Sequence, residues 1–168
     1  WDYPRHPAHN NLFRNDGIGQ FTELSSQAGI PRERRWPTRG VLTFDMDQDG
    51  DLDLFCVTNY LGSEDPPAER NEIYRNNSNW NFSSITDGPL STAPCGQGAI
   101  DTDFDGDGDI DIIAANRTGQ VNILKNDGLG NMVLLDASAI GIRHRAGDGI
   151  SMADIDNDGD LDALFASD

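Results

Sequence analysis

Apolar residues fall into short runs along this chain. Leu54-Phe55-Cys56-Val57-Thr58, Ile112-Ile113-Ala114-Ala115 and Ala163-Leu164-Phe165-Ala166 are each of strand length and show no helical stripe. A second set stands upstream of these runs: Val41-Leu42-Thr43-Phe44, Ala99-Ile100-Asp101-Thr102 and Ile150-Ser151-Met152-Ala153. Each of that set follows a glycine: Gly40, Gly98 and Gly149. A third pattern is strand, Asn/Gly turn, strand, which predicts a hairpin. It reads Asn11-Leu12-Phe13-Arg14-Asn15-Asp16-Gly17-Ile18-Gly19-Gln20-Phe21 and recurs as Asn122-Ile123-Leu124-Lys125-Asn126-Asp127-Gly128-Leu129-Gly130-Asn131-Met132. A degraded copy without glycines spans residues 72–82. Ser26-Gln27-Ala28-Gly29-Ile30 matches Ser138-Ala139-Ile140-Gly141-Ile142 with one residue of slippage.

The first two sets of strands are joined by a nine-residue acidic loop, three times over. The copies are Asp45-Met46-Asp47-Gln48-Asp49-Gly50-Asp51-Leu52-Asp53, Asp103-Phe104-Asp105-Gly106-Asp107-Gly108-Asp109-Ile110-Asp111 and Asp154-Ile155-Asp156-Asn157-Asp158-Gly159-Asp160-Leu161-Asp162. Carboxylates stand at positions 1, 3, 5, 7 and 9, glycine at 6, and Leu or Ile at 8. Two carboxylates about 4 Å apart repel by roughly 4 kcal/mol at an effective dielectric near 20, so such a loop calls for a compensating cation. With only oxygen donors present, the cation is hard, and Ca²⁺ is the first choice. The expected side-chain ligands are positions 1, 3, 5 and 9: Asp45, Asp47, Asp49 and Asp53; Asp103, Asp105, Asp107 and Asp111; Asp154, Asp156, Asp158 and Asp162. Position 7 (Asp51, Asp109, Asp160) would offer its backbone carbonyl, and Gly at 6 allows the sharp turn. An EF-hand would need Glu at position 12 and flanking helices. Position 12 is Cys56, Ala114 or Phe165, within a strand-length run.

The order is therefore strand A, acidic loop, strand B, connection, strand C, turn, strand D. It repeats after 58 residues and again after 51. Four short strands at such a period predict an all-β fold, a β-propeller of four-stranded blades. Residues 1–30 would supply strands C and D of one blade, 31–88 and 89–142 two full blades, and 143–168 strands A and B of another. Three blades' worth of strands is fewer than a ring typically holds, so the expectation is a segment of a longer propeller. Its exposed edge strands would favour self-association.

The formal charge is −17, and the three loops hold 15 of the 29 acidic residues. Three bound Ca²⁺ would leave about −11. An acidic surface argues against nucleic-acid binding, and no run of 18 apolar residues predicts a membrane span. The chain shows no signal peptide and begins at Trp1, which reads as a mature or excised start. Cys56 and Cys95 are compatible with one disulfide or with two buried thiols. Asn76, Asn81 and Asn116 each begin a glycosylation acceptor tripeptide.

The pattern Asn-x-Leu-Phe-x-Asn-x-Gly-x-Gly-x-Phe followed by Asp-x-Asp-x-Asp-Gly-Asp-x-Asp-Leu resembles the FG-GAP/VCBS repeats. These repeats occur in the N-terminal propeller of integrin α chains and in cartilage acidic protein and ASPIC/UnbV-type secreted proteins. The literal Phe-Gly dipeptide and Gly-Ala-Pro tripeptide of the integrin repeat are absent. The resemblance implies an extracellular propeller of about seven blades with one Ca²⁺ per loop, working in adhesion or recognition and not in catalysis. The expected partner is a protein or glycan of an extracellular matrix or surface assembly.

No catalytic triad order, nucleotide loop or Cys/His cluster is present. His6, His9 and the cluster Arg143-His144-Arg145 read as surface groups, and Asp101 as solvent-facing. The long connection over 60–71 is a candidate blade-specific contact. A polysaccharide-binding propeller, with Trp36, Trp80 and Tyr60 as stacking residues, is the alternative reading, alongside an accessory domain of a larger secreted enzyme. The leading expectation is a calcium-binding structural or adhesive module.

Overall fold

A computed structural model describes residues 9–32, 38–58, 71–86, 88–89, 98–115, 121–143 and 149–166. His6, Trp36, Tyr60, Cys95, Asn116, His144, Arg145 and nearly all of the 60–71 connection lie outside these residues.

The described residues form twelve strands: β1 (Phe13–Asn15), β2 (Phe21–Glu23), β3 (Thr38–Phe44), β4 (Asp53–Thr58), β5 (Glu72–Asn76), β6 (Phe82–Ile85), β7 (Ala99–Thr102), β8 (Asp111–Ala114), β9 (Asn122–Asn126), β10 (Met132–Asp136), β11 (Gly149–Ala153) and β12 (Asp162–Ala166). All pairings are antiparallel between sequence neighbours, giving β3-β4-β5-β6 and β7-β8-β9-β10 as four-stranded sheets. The pairs β1-β2 and β11-β12 stand on either side in sequence. No described helix is long and apolar enough to cross a membrane.

The sheets stack face to face in chain order, which explains the continuous apolar runs of β4 and β8, whereas the run on β12 packs through Phe165 and leaves Leu164 67% exposed. A strand covered on both faces has no solvent side to mark with polar residues. On β4, Phe55 and Val57 pack toward β7–β10 with Phe44, Ile73, Ile112, Leu124 and Met132. The alternate residues Leu54 and Cys56 pack toward β1-β2 with Leu24, Ala28, Ile30, Tyr74 and Phe82. On β8 the same alternation sends Ile112 into the first of these cores. Ile113 enters a third core, with Ile123, Val121 and Ala137, which Ile150, Met152 and Phe165 of β11-β12 cover. The first strands β3, β7 and β11 lie beside one another. Cys56 is buried, and its Sγ lies 3.5 Å from the Asn10 amide nitrogen.

The degraded hairpin keeps its turn without glycines. Ser78, Asn79 and Trp80 take positive φ, and Ser78 and Trp80 replace Gly17 and Gly19 of the first copy. The turn after β2 is tighter. Gly29 has φ +84, and a Cβ there would lie 2.4 Å from the backbone oxygen of Phe82. The Phe82 N–H in turn donates to Ala28 O at 2.8 Å, so this turn seats the first hairpin against β6. Gly29→Ala is expected to destabilise by about 2–4 kcal/mol, from left-handed strain plus a backbone collision. Gly17→Ala, at φ +88 with nothing within 4 Å of its Cβ, should cost only about 1–2 kcal/mol. Paired urea denaturation curves separate the two.

Candidate metal centres

Each acidic loop leaves the first strand of a sheet and returns as the second, and all three share one backbone path. Two residues per loop are left-handed: position 4 (Gln48, Gly106, Asn157) and position 6 (Gly50, Gly108, Gly159). This curl turns two consecutive N–H groups inward, and the position 1 carboxylate accepts both. Asp45 accepts from Asp49 and Gly50 at 3.1 and 2.9 Å. Asp103 accepts from Asp107 and Gly108 at 3.1 and 3.0 Å. Asp154 accepts from Asp158 and Gly159, both at 3.1 Å.

Position 9 begins the second strand and reaches back to the loop entrance. Its Oδ2 accepts from the position 2 N–H: Met46 to Asp53 at 2.8 Å, Phe104 to Asp111 at 3.3 Å, Ile155 to Asp162 at 2.9 Å. In the first two loops Oδ1 accepts a second bond, from the Asn76 or Asn126 N–H at the end of the sheet's third strand, at 2.7 Å in each case. The wrapping brings carboxylate oxygens of positions 1, 3 and 9 within 4.8 Å of one another in every loop. The groups are Asp45, Asp47 and Asp53; Asp103, Asp105 and Asp111; Asp154, Asp156 and Asp162.

The other two carboxylates of each loop lie outside those groups. Position 5 caps its own turn: Asp49, Asp107 and Asp158 accept through Oδ1 from the N–H of Asp51, Asp109 and Asp160 at 2.9, 3.0 and 2.9 Å. At position 7, Asp51 meets the Ser78 hydroxyl, and Asp109 accepts from Gln48 Nε2 at 2.7 Å. Asp101 is exposed on β7, as are His9 and Arg143. Asn81 is exposed too, whereas Asn76 Nδ2 donates to Leu52 O at 3.1 Å. Trp80 is 42% exposed.

Converging carboxylates are costly where solvent is excluded. Burial pushes the carboxyls of Asp53 and Asp111 above their ordinary pKa. The backbone N–H groups of Asn76 and Met46, or of Asn126 and Phe104, oppose that shift, while neighbouring loop carboxylates add to it. A carboxyl raised in this way holds its proton more tightly folded than unfolded. Its contribution to stability therefore falls as pH rises through the interval between the two values. Asp47 Oδ1 is buried with no hydrogen-bond partner. A hard divalent cation would meet that oxygen and offset the repulsion, and the all-oxygen donor set suits Ca²⁺, whose bonds run 2.3–2.6 Å.

Several groups around the loops carry repeat signals that their chemistry alone does not announce. Arg75 and Lys125 occupy one position of the third strand, Asn76 and Asn126 the next, and Arg14-Asn15 repeats the pair. Arg75 Nε lies 3.3 Å from Asp47 Oδ2, and Lys125 Nζ pairs with Asp105 and, at 2.9 Å, with Asp107. Hydrogen bonds to these two carboxylates hold the Lys125 pKa above its ordinary value, and Lys125 lowers that of Asp107. In the first two loops the apolar residue at position 2 is a peg between sheets. Met46 is fully buried in the core shared with β7–β10, and Phe104 packs against the next core. Asn126 ties two loops together, since its Nδ2 donates to Met46 O at 2.8 Å and to Ile110 O at 3.1 Å.

The sequence profile of the FG-GAP-like repeat matches residues 5–56 and 103–165. The two matched stretches take in the first acidic loop and the whole of the second and third. No curated protein matches the chain.

Proposed function

The chain belongs to the FG-GAP-like repeat family, and on that premise we propose that it is a calcium-binding segment of an extracellular β-propeller. In this reading residues 31–88 and 89–142 are two full blades, flanked by the half-blades 1–30 and 143–168, in a ring of about seven blades. The module is non-catalytic and serves adhesion, recognition or structural assembly with a protein or glycan partner. The observation that carries the reading is the threefold convergence of position 1, 3 and 9 carboxylates on one path. Asp45, Asp47 and Asp53, with their counterparts in the other loops, would hold the ions. Positions 5 and 7 complete the proposed ligand sets, Asp49, Asp107 and Asp158 through carboxylates and Asp51, Asp109 and Asp160 through backbone carbonyls.

Bound Ca²⁺ supplies positive charge to the loop and no redox or acid–base chemistry. The chain's own residues do the rest: position 6 glycine turns the backbone, and position 9 of the first two loops anchors the loop to the third strand. An extracellular setting suits loops of this kind, since extracellular modules bind Ca²⁺ at roughly 10⁻⁴–10⁻³ M. Calorimetric titration of the chelated chain is expected to give three Ca²⁺ per molecule, matching the three carboxylate groups. Asp154→Ala, at the exposed third loop, should remove one of them and leave the fold intact. No saturable binding would defeat the proposal.

A further inference from the structure

Two of the three loops carry a cation of their own. Lys125 on β9 pairs with the carboxylates of Asp105 and Asp107 in the second loop. Arg75 on β5 lies against Asp47 in the first loop. Both sit one residue before the asparagine whose N–H anchors position 9 of the same loop. Strand pairing therefore delivers the positive charge to one place in each repeat. Among the described residues, none of the carboxylates of the third loop has a basic partner.

Resting on the calcium reading of these loops, we propose that Lys125 and Arg75 are tethered counter-cations, each of which substitutes in part for the divalent ion and lowers the affinity of its own loop. The physical reason is competition for one set of charges. Asp105 belongs to the converging group of Asp103, Asp105 and Asp111, and the Lys125 ammonium already neutralises part of its field. An incoming dication meets a like charge a few ångströms away and must push it toward water. Lys125 is about one-third exposed, with a long flexible stem, so it can withdraw. Arg75 is similarly exposed, but a Cβ at Gly130 would fall 2.5 Å from its Nη2, so the turn of the next sheet crowds its head. The device holds each loop together when calcium is scarce and makes its binding weaker and more salt-sensitive.

Loss of the tethered charge acts on stability and on calcium affinity with opposite signs. In Lys125→Gln the midpoint of thermal unfolding in chelator should fall, because the loop carboxylates lose their partner. Calcium affinity of the second loop should rise by roughly three- to tenfold, the scale of removing one unit charge at about 4 Å in a largely aqueous setting. Lys125→Arg keeps the charge and should retain the wild-type affinity. The backbone amide of Gly108, bonded to Asp103 at 3.0 Å, reports the second loop by NMR titration. Gly50 and Gly159 report the first and third loops and should titrate unchanged. Arg75→Gln should move the Gly50 midpoint in the same way. A Lys125→Gln affinity equal to or below wild type, with the wild-type loops still saturating, overturns the counter-cation role alone. Wild-type loops that never saturate overturn the calcium reading and this inference with it.

Discussion

Chelating calcium is expected to lower the melting midpoint of this chain by roughly 8–32 °C relative to about 10 mM Ca²⁺. Linkage between binding and folding sets the size of the shift. A ligand at 10 to 100 times its dissociation constant stabilises the folded state by about 1.4–2.7 kcal/mol per site. Calcium loops of extracellular type, with dissociation constants near 10⁻⁴–10⁻³ M, fall in that range. Three sites give roughly 4–8 kcal/mol, and a domain of this size shifts by about 2–4 °C per kcal/mol. Sodium chloride at matched ionic strength should recover only a small part of the loss, because screening weakens repulsion between exposed carboxylates without coordinating Asp47 Oδ1, buried and unpartnered. Mg²⁺ should also fall short, since it demands octahedral geometry at about 2.0–2.1 Å and dehydrates reluctantly. Differential scanning calorimetry with back-titration of Ca²⁺ makes the measurement. A chelated melt that coincides with the calcium melt would show that the loops fold for reasons of their own.

Much of the architecture was legible because its signals are local. Asn/Gly turns, strand-length apolar runs and Asp-x-Asp loops each act over about ten residues. Their order placed β3 to β12 in the sequence in which the sheets pair them. The spacing also points to side-chain ligands at positions 1, 3, 5 and 9, and the carboxylates of 1, 3 and 9 converge. Spacing does not reveal that position 5 turns to its own backbone, as where Asp49 accepts from the Asp51 N–H. Alternating aspartates look equivalent in one dimension, and only the left-handed residues at positions 4 and 6 separate them. The roles of Asn126 and Lys125 were hidden for another reason. Their partners lie up to 80 residues away, and strand pairing alone brings them together. A basic residue and an asparagine ending every third strand were the available clue. The degraded hairpin shows the converse, since Ser78, Asn79 and Trp80 adopt the turn that glycines make elsewhere. Packing of the flanking strands overrides the local preference there.

Replacing Asp53 with alanine should destabilise the chain by about 3 kcal/mol even in chelator, where no metal ligand is being removed. Asp53 is 1% exposed and holds two N–H donors, Met46 at 2.8 Å and Asn76 at 2.7 Å. Orphaning the buried Met46 donor costs about 1–3 kcal/mol, and the part-buried Asn76 donor adds to it. Removing the buried charge gives some of that back, because burial and the Asp47 and Asp49 carboxylates already disfavour its ionised form. That relief is opposed by the same two N–H bonds, which leaves the donors dominant. Asp162 is the matched control. It stands at the same loop position but is exposed, with one bond from Ile155 N–H at 2.9 Å, and Ile155 is itself 67% exposed. Water can replace that acceptor, so Asp162→Ala should stay within about 0.5 kcal/mol in chelator. Urea denaturation of both variants, with and without calcium, separates the two duties of position 9. If Asp53 served only to hold a cation, its removal would relieve repulsion and Asp53→Ala would be at least as stable as wild type in chelator. That result would sink the claim that position 9 fastens the loop to the third strand before any ion arrives. A loss confined to Asp53→Ala would place the anchoring in the buried pair of hydrogen bonds. Calcium would then act on a loop whose path the backbone has already set.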